Sequence, residues 1–411
     1  MNASSIQIKP HLQAHAECHR CGAQVHAKSV LWQGIHVCAR FDCGACGAAF
    51  LEDLSIGHAI SGPIRVDLAT GTMTGHDRGQ AWFGEPLQSS LQRPDNSPIG
   101  LEVEIRKTAT RVIVLNCVDF LYGHCLLKLL NATHHLRNPD LGLVVLVPNF
   151  LRWLVPEGVA EIWVVDLPLA RAQRYFPDLE RRIGKELERF EQVEVSRAFS
   201  HPADFRLEDF TRVPSHDFSA KDFRVTFVWR ADRLWVPEDS WTRLARRARL
   251  NSLMLALQRR KIRILFGRIR KAIPHARLTV AGLGRQGTFP SWIEDCRADT
   301  LADANAERAQ CHIYSESRVV VGIHGSSMLL PSGHAGMCVD LMPTARWPHL
   351  AQDTLLSPQD FSGDPRVSAY RYRFVPSSMS PRETAEMIVS MIRSFDWVVG
   401  RFVSERIGVS N

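Results

Sequence analysis

Residues 318–343 read RVVVGIHGSSMLLPSGHAGMCVDLMP. Val319, Val320 and Val321 form a fully apolar, β-branched run of the kind that lies buried on both faces of a parallel sheet. Gly322–Ser327 supply a loop of small residues around His324, Met328–Leu330 open a helix, and Val339–Met342 form a second apolar run, punctuated by Asp340 and stopped by Pro343. Strand, small-residue loop, helix start and strand is a geometry that cradles phosphates, because small side chains let backbone N–H groups approach an anion and a helix start adds partial positive charge. A diphosphate, as in a nucleotide sugar, is the ligand this pattern suits. The same letters also fit an ordinary βαβ turn in which glycine serves only the backbone.

The texture on either side is similar. Arg111–Leu115, Leu143–Val147 and Ile162–Val165 read as buried strands, with helices expected over Phe120–Leu136 and Arg181–Gln192. A second set comprises strands at Val225–Trp229 and Ala276–Ala281, a helix over Asn305–Ser317, and the run beginning at Val319. Strands alternating with helices predict parallel sheets covered on both faces. Ser380-Pro381-Arg382-Glu383 reads as a capping box with proline at the first helical position, launching a helix over Ala385–Val398. The expected organisation is a small module at 1–60, a linker or irregular segment with room for a short strand at 61–105, rich in Gly, Pro, Ser and Asp, and two Rossmann-like halves at 106–222 and 223–411.

The module at 1–60 is read from its cysteines. Cys18-His19-Arg20-Cys21-Gly22 and Cys43-Gly44-Ala45-Cys46-Gly47 are matched units. A two-residue spacer lets both thiolates face one cation, and the following glycine permits the tight turn that points N–H groups at sulfur. Four thiolates complete a closed, structural tetrahedral site, so a zinc ribbon holding Zn²⁺ is expected. The 21 residues between the pairs slightly exceed the usual ribbon spacing, and Cys38 or His36 could replace a ligand. Residues 1–60 carry few Lys or Arg and no basic–aromatic cluster, which argues against nucleic acid as the partner of this module.

The chain has 411 residues, 45% hydrophobic and 23% charged, with a net charge of +7. These values fit a globular protein of two or three domains. No run of apolar residues is long enough to span a membrane, and the first residues lack the apolar core of a secretory signal, so a cytoplasmic location with reduced or metal-bound cysteines is expected. Charge is uneven. Between Arg243 and Arg277 there are twelve Lys or Arg and no Asp or Glu. This stretch reads as the solvated face of a helix following a Rossmann strand, as a basic amphipathic helix touching the anionic inner face of a membrane, or as a nucleic-acid surface.

Arg230 and Arg233 follow directly on the strand Val225–Trp229, where ligands bind in open α/β sheets. Arginine clamps phosphate oxygens bidentately, so the pair suits a diphosphate; alternatively Arg230 pairs with Asp232.

The segment around His324 resembles the HGA loop of glycosyltransferase family 61, in which an apolar strand leads into a His-Gly-small triplet and then a strand carrying an acid before proline. The triplet here is His324-Gly325-Ser326, with serine in place of the usual alanine, and Asp340 stands where that pattern usually has Glu. The resemblance spans about residues 110–345 and includes a strand, an arginine pair and a long helix ahead of the loop. Similar arginine motifs occur in α1,6- and O-fucosyltransferases.

It implies a GT-B-like architecture, two Rossmann-like halves with a central cleft, and a glycosyltransferase acting in polysaccharide biosynthesis. The enzyme would move a sugar from a nucleotide-sugar donor to a hydroxyl of a glycan or protein. His324, Gly325, Ser326 and Ser327 with Arg230 and Arg233 would hold the donor diphosphate, and Asp340 would contact ribose or base. The stretch Asn116–Leu136 resembles an early element of the family in which a His near a helix start follows a small or aromatic cluster; His124 is the match, with Asp119 five residues before it. An inverting transferase needs a general base, for which Asp119 and His124 are candidates. Asp119 as a helix cap and His124 as a core histidine stand beside that reading.

Asp299–Asp303 lies in a polar loop rather than at a strand end, and arginines can stabilise a leaving diphosphate, so the reading requires no catalytic metal. Two rivals remain: a zinc-ribbon binding protein or scaffold whose transferase-like domain is inactive, and a nucleic-acid-binding protein.

Overall fold

In the computed structural model, residues 4–57, 62–202, 204–236, 251–299, 304–350, 352–355 and 365–407 are described. The chain divides into two compact units, Met1–Phe205 and Arg206–Asn411. The boundary falls ahead of the expected one at 222/223. The additional residues include the helix Leu207–Thr211, whose Leu207 and Phe210 are buried.

Unit 1 holds β1 (Ser5–Lys9), β2 (His15–Glu17), β3 (Gln24–His26), β4 (Ser29–Trp32), β5 (Val37–Asp42), β6 (Ala49–Asp53), β7 (Arg65–Asp67), β8 (Met73–Thr74), β9 (Leu101–Ile105), β10 (Arg111–Asn116), β11 (Gly142–Pro148), β12 (Glu161–Val165) and β13 (Gln192–Ser196). Its large sheet runs β1-β13-β10-β11-β12-β9; the four central strands are parallel, and β1 and β9 join antiparallel at the edges. The central strands Val112–Leu115 and Val144–Val147 are fully buried, which is why they read as unbroken apolar runs rather than alternating ones. A five-stranded antiparallel sheet, β4-β5-β6-β7-β8, and the β2–β3 hairpin complete the unit.

These facts correct the expected layout. The segment 61–105 is not a linker: it contains β7, β8, a π-helical turn at Gln80–Gly84, the helix Glu85–Gln92 and β9. Its Gly and Pro residues punctuate short elements. Nor is 1–60 a self-contained ribbon, because β1 belongs to the large sheet and the small sheet draws on β7 and β8. The helix expected over Phe120–Leu136 is two pieces, Tyr122–Leu129 and Ala132–Leu136.

Unit 2 holds β14 (Arg224–Arg230), β15 (Arg277–Leu283), β16 (Glu294–Ala298), β17 (Ser317–Ile323), β18 (Met337–Met342) and β19 (Tyr372–Pro376). All are parallel, in the order β16-β15-β14-β17-β18-β19. Counted from β14, this is 3-2-1-4-5-6, the doubly wound Rossmann order. The two-residue repeat of a strand sorts the side chains. Val225, Phe227 and Trp229 pack with Val319, Val321 and Ile323 against the helices Asn251–Ala272 and Pro381–Ile407. Val228 and Val320 pack on the other face with Tyr314 of the helix Ala304–Ser315. Each such side chain contributes about 1.5–3 kcal/mol by leaving water. The expected capping box forms: Ser380 Oγ accepts from Glu383 N–H at 3.2 Å, and Glu383 Oε2 accepts from Ser380 N–H at 3.0 Å. The basic stretch is the helix Asn251–Ala272 over its described part; residues 243–250 lie outside the described residues.

Candidate functional site: a switch-point loop and a four-cysteine centre

Strand order reverses between β14 and β17 in unit 2, because β15 follows β14 on one side and β17 lies on the other. In an open parallel sheet this leaves a crevice at the carboxyl ends of the strands, where ligands bind. Arg230 ends β14 and Arg233 follows it; His324, Gly325, Ser326 and Ser327 follow β17. Arg233 and His324, 91 positions apart, thus meet at this end of the sheet.

The two arginines behave differently. Arg230 makes a two-point ion pair with Asp232, at 2.8 and 2.9 Å, on the partly exposed rim. Arg233 turns inward, and its Nη1 donates to the His324 carbonyl at 2.9 Å. Burial pulls the Arg233 pKa down, opposed by the carboxylate of Asp353. Gly325 lies beneath that guanidinium with φ +143°, in a region essentially restricted to glycine, and a Cβ there would lie 0.9 Å from Arg233 Nη1. The glycine is required both by the backbone and by the arginine seated on it.

His324 is buried. Its Nδ1 lies 2.7 Å from Asp340 Oδ2, and its Nε2 lies 3.5 Å from Asp353 Oδ2. Asp340 is also buried; Thr354 Oγ1 donates to its Oδ2 at 3.4 Å. Burial pushes the Asp340 carboxyl up, while His324 beside it acts the other way. The structure therefore places Asp340 behind the loop, orienting the imidazole. Ser326 and Ser327 are half-buried at the loop tip. The helix after them is only Leu329–His334, preceded by the 3₁₀ turn Ser326–Met328, so its dipole adds less to the loop than the sequence suggests. Asp353 and Thr354 escaped sequence reading because they belong to no periodic element; they reach His324 and Asp340 respectively only through the fold.

In unit 1, Asp119 follows β10 and is buried. Its Oδ1 accepts from the N–H of Phe120 at 2.8 Å and lies 3.1 Å from His124 Nδ1, while Oδ2 is 3.0 Å from the buried Lys128 Nζ. The residue thus organises the start of the following helix and anchors both a histidine and a lysine. His124 reaches partial exposure beside the rings of Trp82 (5.8 Å) and Phe120 (5.9 Å). Trp82 comes from the π-helical turn, a device frequent at functional sites, and nothing in its local sequence marked it. The Asp119 carboxylate at Nδ1 fixes the orientation of the His124 ring.

The four cysteines sit at the tips of two hairpins, β2–β3 and β5–β6. In each knuckle the glycine after the second cysteine, Gly22 or Gly47, takes positive φ (74° and 72°) and donates its N–H to the carbonyl of Cys18 or Cys43 at 2.9 Å. Cys18 and Cys46 Sγ are 3.7 Å apart, Cys21 and Cys43 Sγ are 3.6 Å apart, and all four sulfurs lie within 4.8 Å of one another. A tetrahedral ion with metal–sulfur bonds of about 2.3 Å separates its sulfurs by about 3.8 Å, so the donor set fits. Burial opposes ionisation of Cys18, yet the N–H groups of Arg20 and Cys21 and the sulfurs of Cys46 and Cys43 bring its thiol down to about 6. Cys21 receives the Ala23 N–H but is pushed up to about 12 by the sulfurs of Cys46 and Cys43. Four thiolates this close repel one another unless a cation lies among them.

Cys38 and His36 are not in the cluster. Cys38 is buried on β5, and His36 Nδ1 pairs with Asp53. His19, inside the first knuckle, reaches Asp67 of β7 at 2.8 Å, which ties the first cysteine loop to a strand outside the expected module. No family model and no curated protein matches this chain in sequence.

Proposed function

We propose that the protein is a glycosyltransferase of the family 61-like, GT-B type, transferring a sugar from a nucleotide-sugar donor to a hydroxyl of a glycan or protein. One observation carries the reading: an arginine and a glycine-centred loop, from strands on either side of the sheet's switch point, meet atom to atom. A diphosphate there gains the positive charge of Arg233, with Arg230 released from Asp232 as the second clamp, and the small loop side chains admit close approach of backbone N–H groups. Charge on the leaving diphosphate grows in the transition state, so these groups act on the rate as well as on binding. In the same reading His124 in unit 1, held by Asp119, takes the proton of the acceptor hydroxyl. The four-cysteine centre holds a structural Zn²⁺, since four thiolates close the shell and leave no position for substrate.

Calorimetric titration of UDP, GDP and their sugars into the wild type and Arg233→Ala tests the donor assignment. Binding by the wild type and a loss of at least tenfold in the variant is expected. Absence of binding by the wild type to any of these nucleotides overturns it.

A further inference from the structure

The helix Asn251–Ala272 carries seven Lys or Arg and no acid, and apart from the exposed Arg263 the structure sorts them into two groups of three. One group is tied to the body of unit 2: Lys261 lies over the Trp235 ring, Arg270 over the Trp292 ring, and Arg259 donates to the Gln286 carbonyl. The inner face of the helix, including Met254, Ile262 and Phe266, is buried in the core.

The outward stripe has a different composition. Leu253, Leu257, Arg260, Ile264, Arg268 and Lys271 follow one another at spacings of three and four, so they lie along one line over about 27 Å of helix. The three aliphatic members are 52%, 41% and 42% exposed, and the three basic ones are exposed between and beyond them. At the carboxyl end, Arg393 of the helix Pro381–Ile407 donates to the Ala272 carbonyl at 2.8 Å. One turn further on the same face of that helix stands Trp397, 68% exposed.

We infer that this stripe is a membrane-association surface whose partner is the anionic face of a lipid bilayer. A basic row attracts anionic headgroups, and leucine, isoleucine and tryptophan side chains enter the boundary between headgroups and acyl chains. A nucleic acid satisfies the charges but leaves the aliphatic residues in the same row without a role, because its contacts are dominated by phosphate. The helix lies on the surface rather than crossing: no helix among the described residues is long and apolar enough to span a bilayer. The inference does not depend on nucleotide binding and is tested apart from it.

The test is flotation of the full chain with vesicles of phosphatidylcholine alone and with about one-third phosphatidylglycerol, at low and high salt. Binding to the anionic vesicles only, weakened by salt, is expected. Arg260→Glu with Arg268→Glu should weaken it at least 25-fold, about fivefold for each charge lost. Lys28→Glu with Arg181→Glu, an equal charge change at exposed sites in unit 1, should have little effect. Leu257→Ser with Ile264→Ser should weaken binding at unchanged charge. Equal binding to both vesicle types, a control pair as damaging as the stripe pair, or full binding by the Leu257/Ile264 variant overturns the proposal. So does binding to random duplex DNA but not to vesicles, which would make the stripe a nucleic-acid surface.

Discussion

Replacing Gly325 by alanine separates the glycine's backbone role from its role under Arg233. The new Cβ would fall 0.9 Å from Arg233 Nη1, an impossible contact, but that atom ends a flexible side chain and can withdraw. Two effects follow. The backbone at φ +143° becomes strained, lowering the stability of unit 2 by about 1–3 kcal/mol. Arg233 also loses its bond to the His324 carbonyl and leaves the crevice. A hydrogen bond involving a charged group contributes about 1.5–3 kcal/mol, so nucleotide diphosphate binding should weaken about 10- to 150-fold. If expulsion of the arginine is the cause, Gly325→Ala and Arg233→Ala remove the same interaction. The double variant should then bind little worse than either single one, a failure of additivity expected for groups in contact. The assay is a double-mutant cycle by calorimetry, with chemical denaturation alongside to confirm folded protein. Additive losses would refute the reasoning, as would a folded Gly325→Ala protein that binds nucleotide as tightly as the wild type.

Three further outcomes are expected. Freshly purified, reduced protein should hold about one zinc per chain by elemental analysis, and Cys43→Ser should lower the melting of unit 1 while leaving that of unit 2 unchanged; metal-free, fully stable protein would contradict this. Asp119→Ala leaves the Lys128 ammonium buried without its counter-charge, so it should destabilise unit 1 by about 3–5 kcal/mol in denaturant titrations, with Lys128→Met added to the same chain restoring part of the loss. Burial lowers both His216 and His334 to about 4, below the unfolded value of 6.5. The unfolded chain therefore binds more protons between those values. The stability of unit 2 should be full above pH 6.5 and fall as pH drops toward 4, by at most about 2.7 kcal/mol per pH unit; a flat profile would exclude neutral burial of both rings.

Legibility from sequence followed locality. Four of the six parallel strands of unit 2 were plain in runs such as Val319–Val321, because burial on both faces leaves no polar punctuation, whereas β16 and β19, partly buried and carrying charged residues, were not read. The knuckles were plain because each is closed by neighbours within five residues. Edge strands were not: β1 and β9 are only partly buried and mix polar with apolar letters, so nothing in them announced membership of a sheet. In the loop after β17, the residue types were readable but not their division of labour. Arg230 takes the pairing with Asp232 that the sequence offered as the alternative, only Arg233 points inward, and Asp340 serves His324.

The pairing of β1 with β13 has a consequence for synthesis. Ser5 lies opposite Ser196, so the first strand finds its place only after about 190 further residues have been made, whereas the cysteine hairpins close within a few dozen. Long-range pairing of this kind is slow to form. On the ribosome the four-cysteine cluster can therefore assemble long before the strand that precedes it has anywhere to go. Until β1 docks, β13 offers an open sheet edge to any other chain nearby. A bulky fusion at the amino terminus would prolong that interval, and a tag at the carboxyl terminus would leave it unchanged.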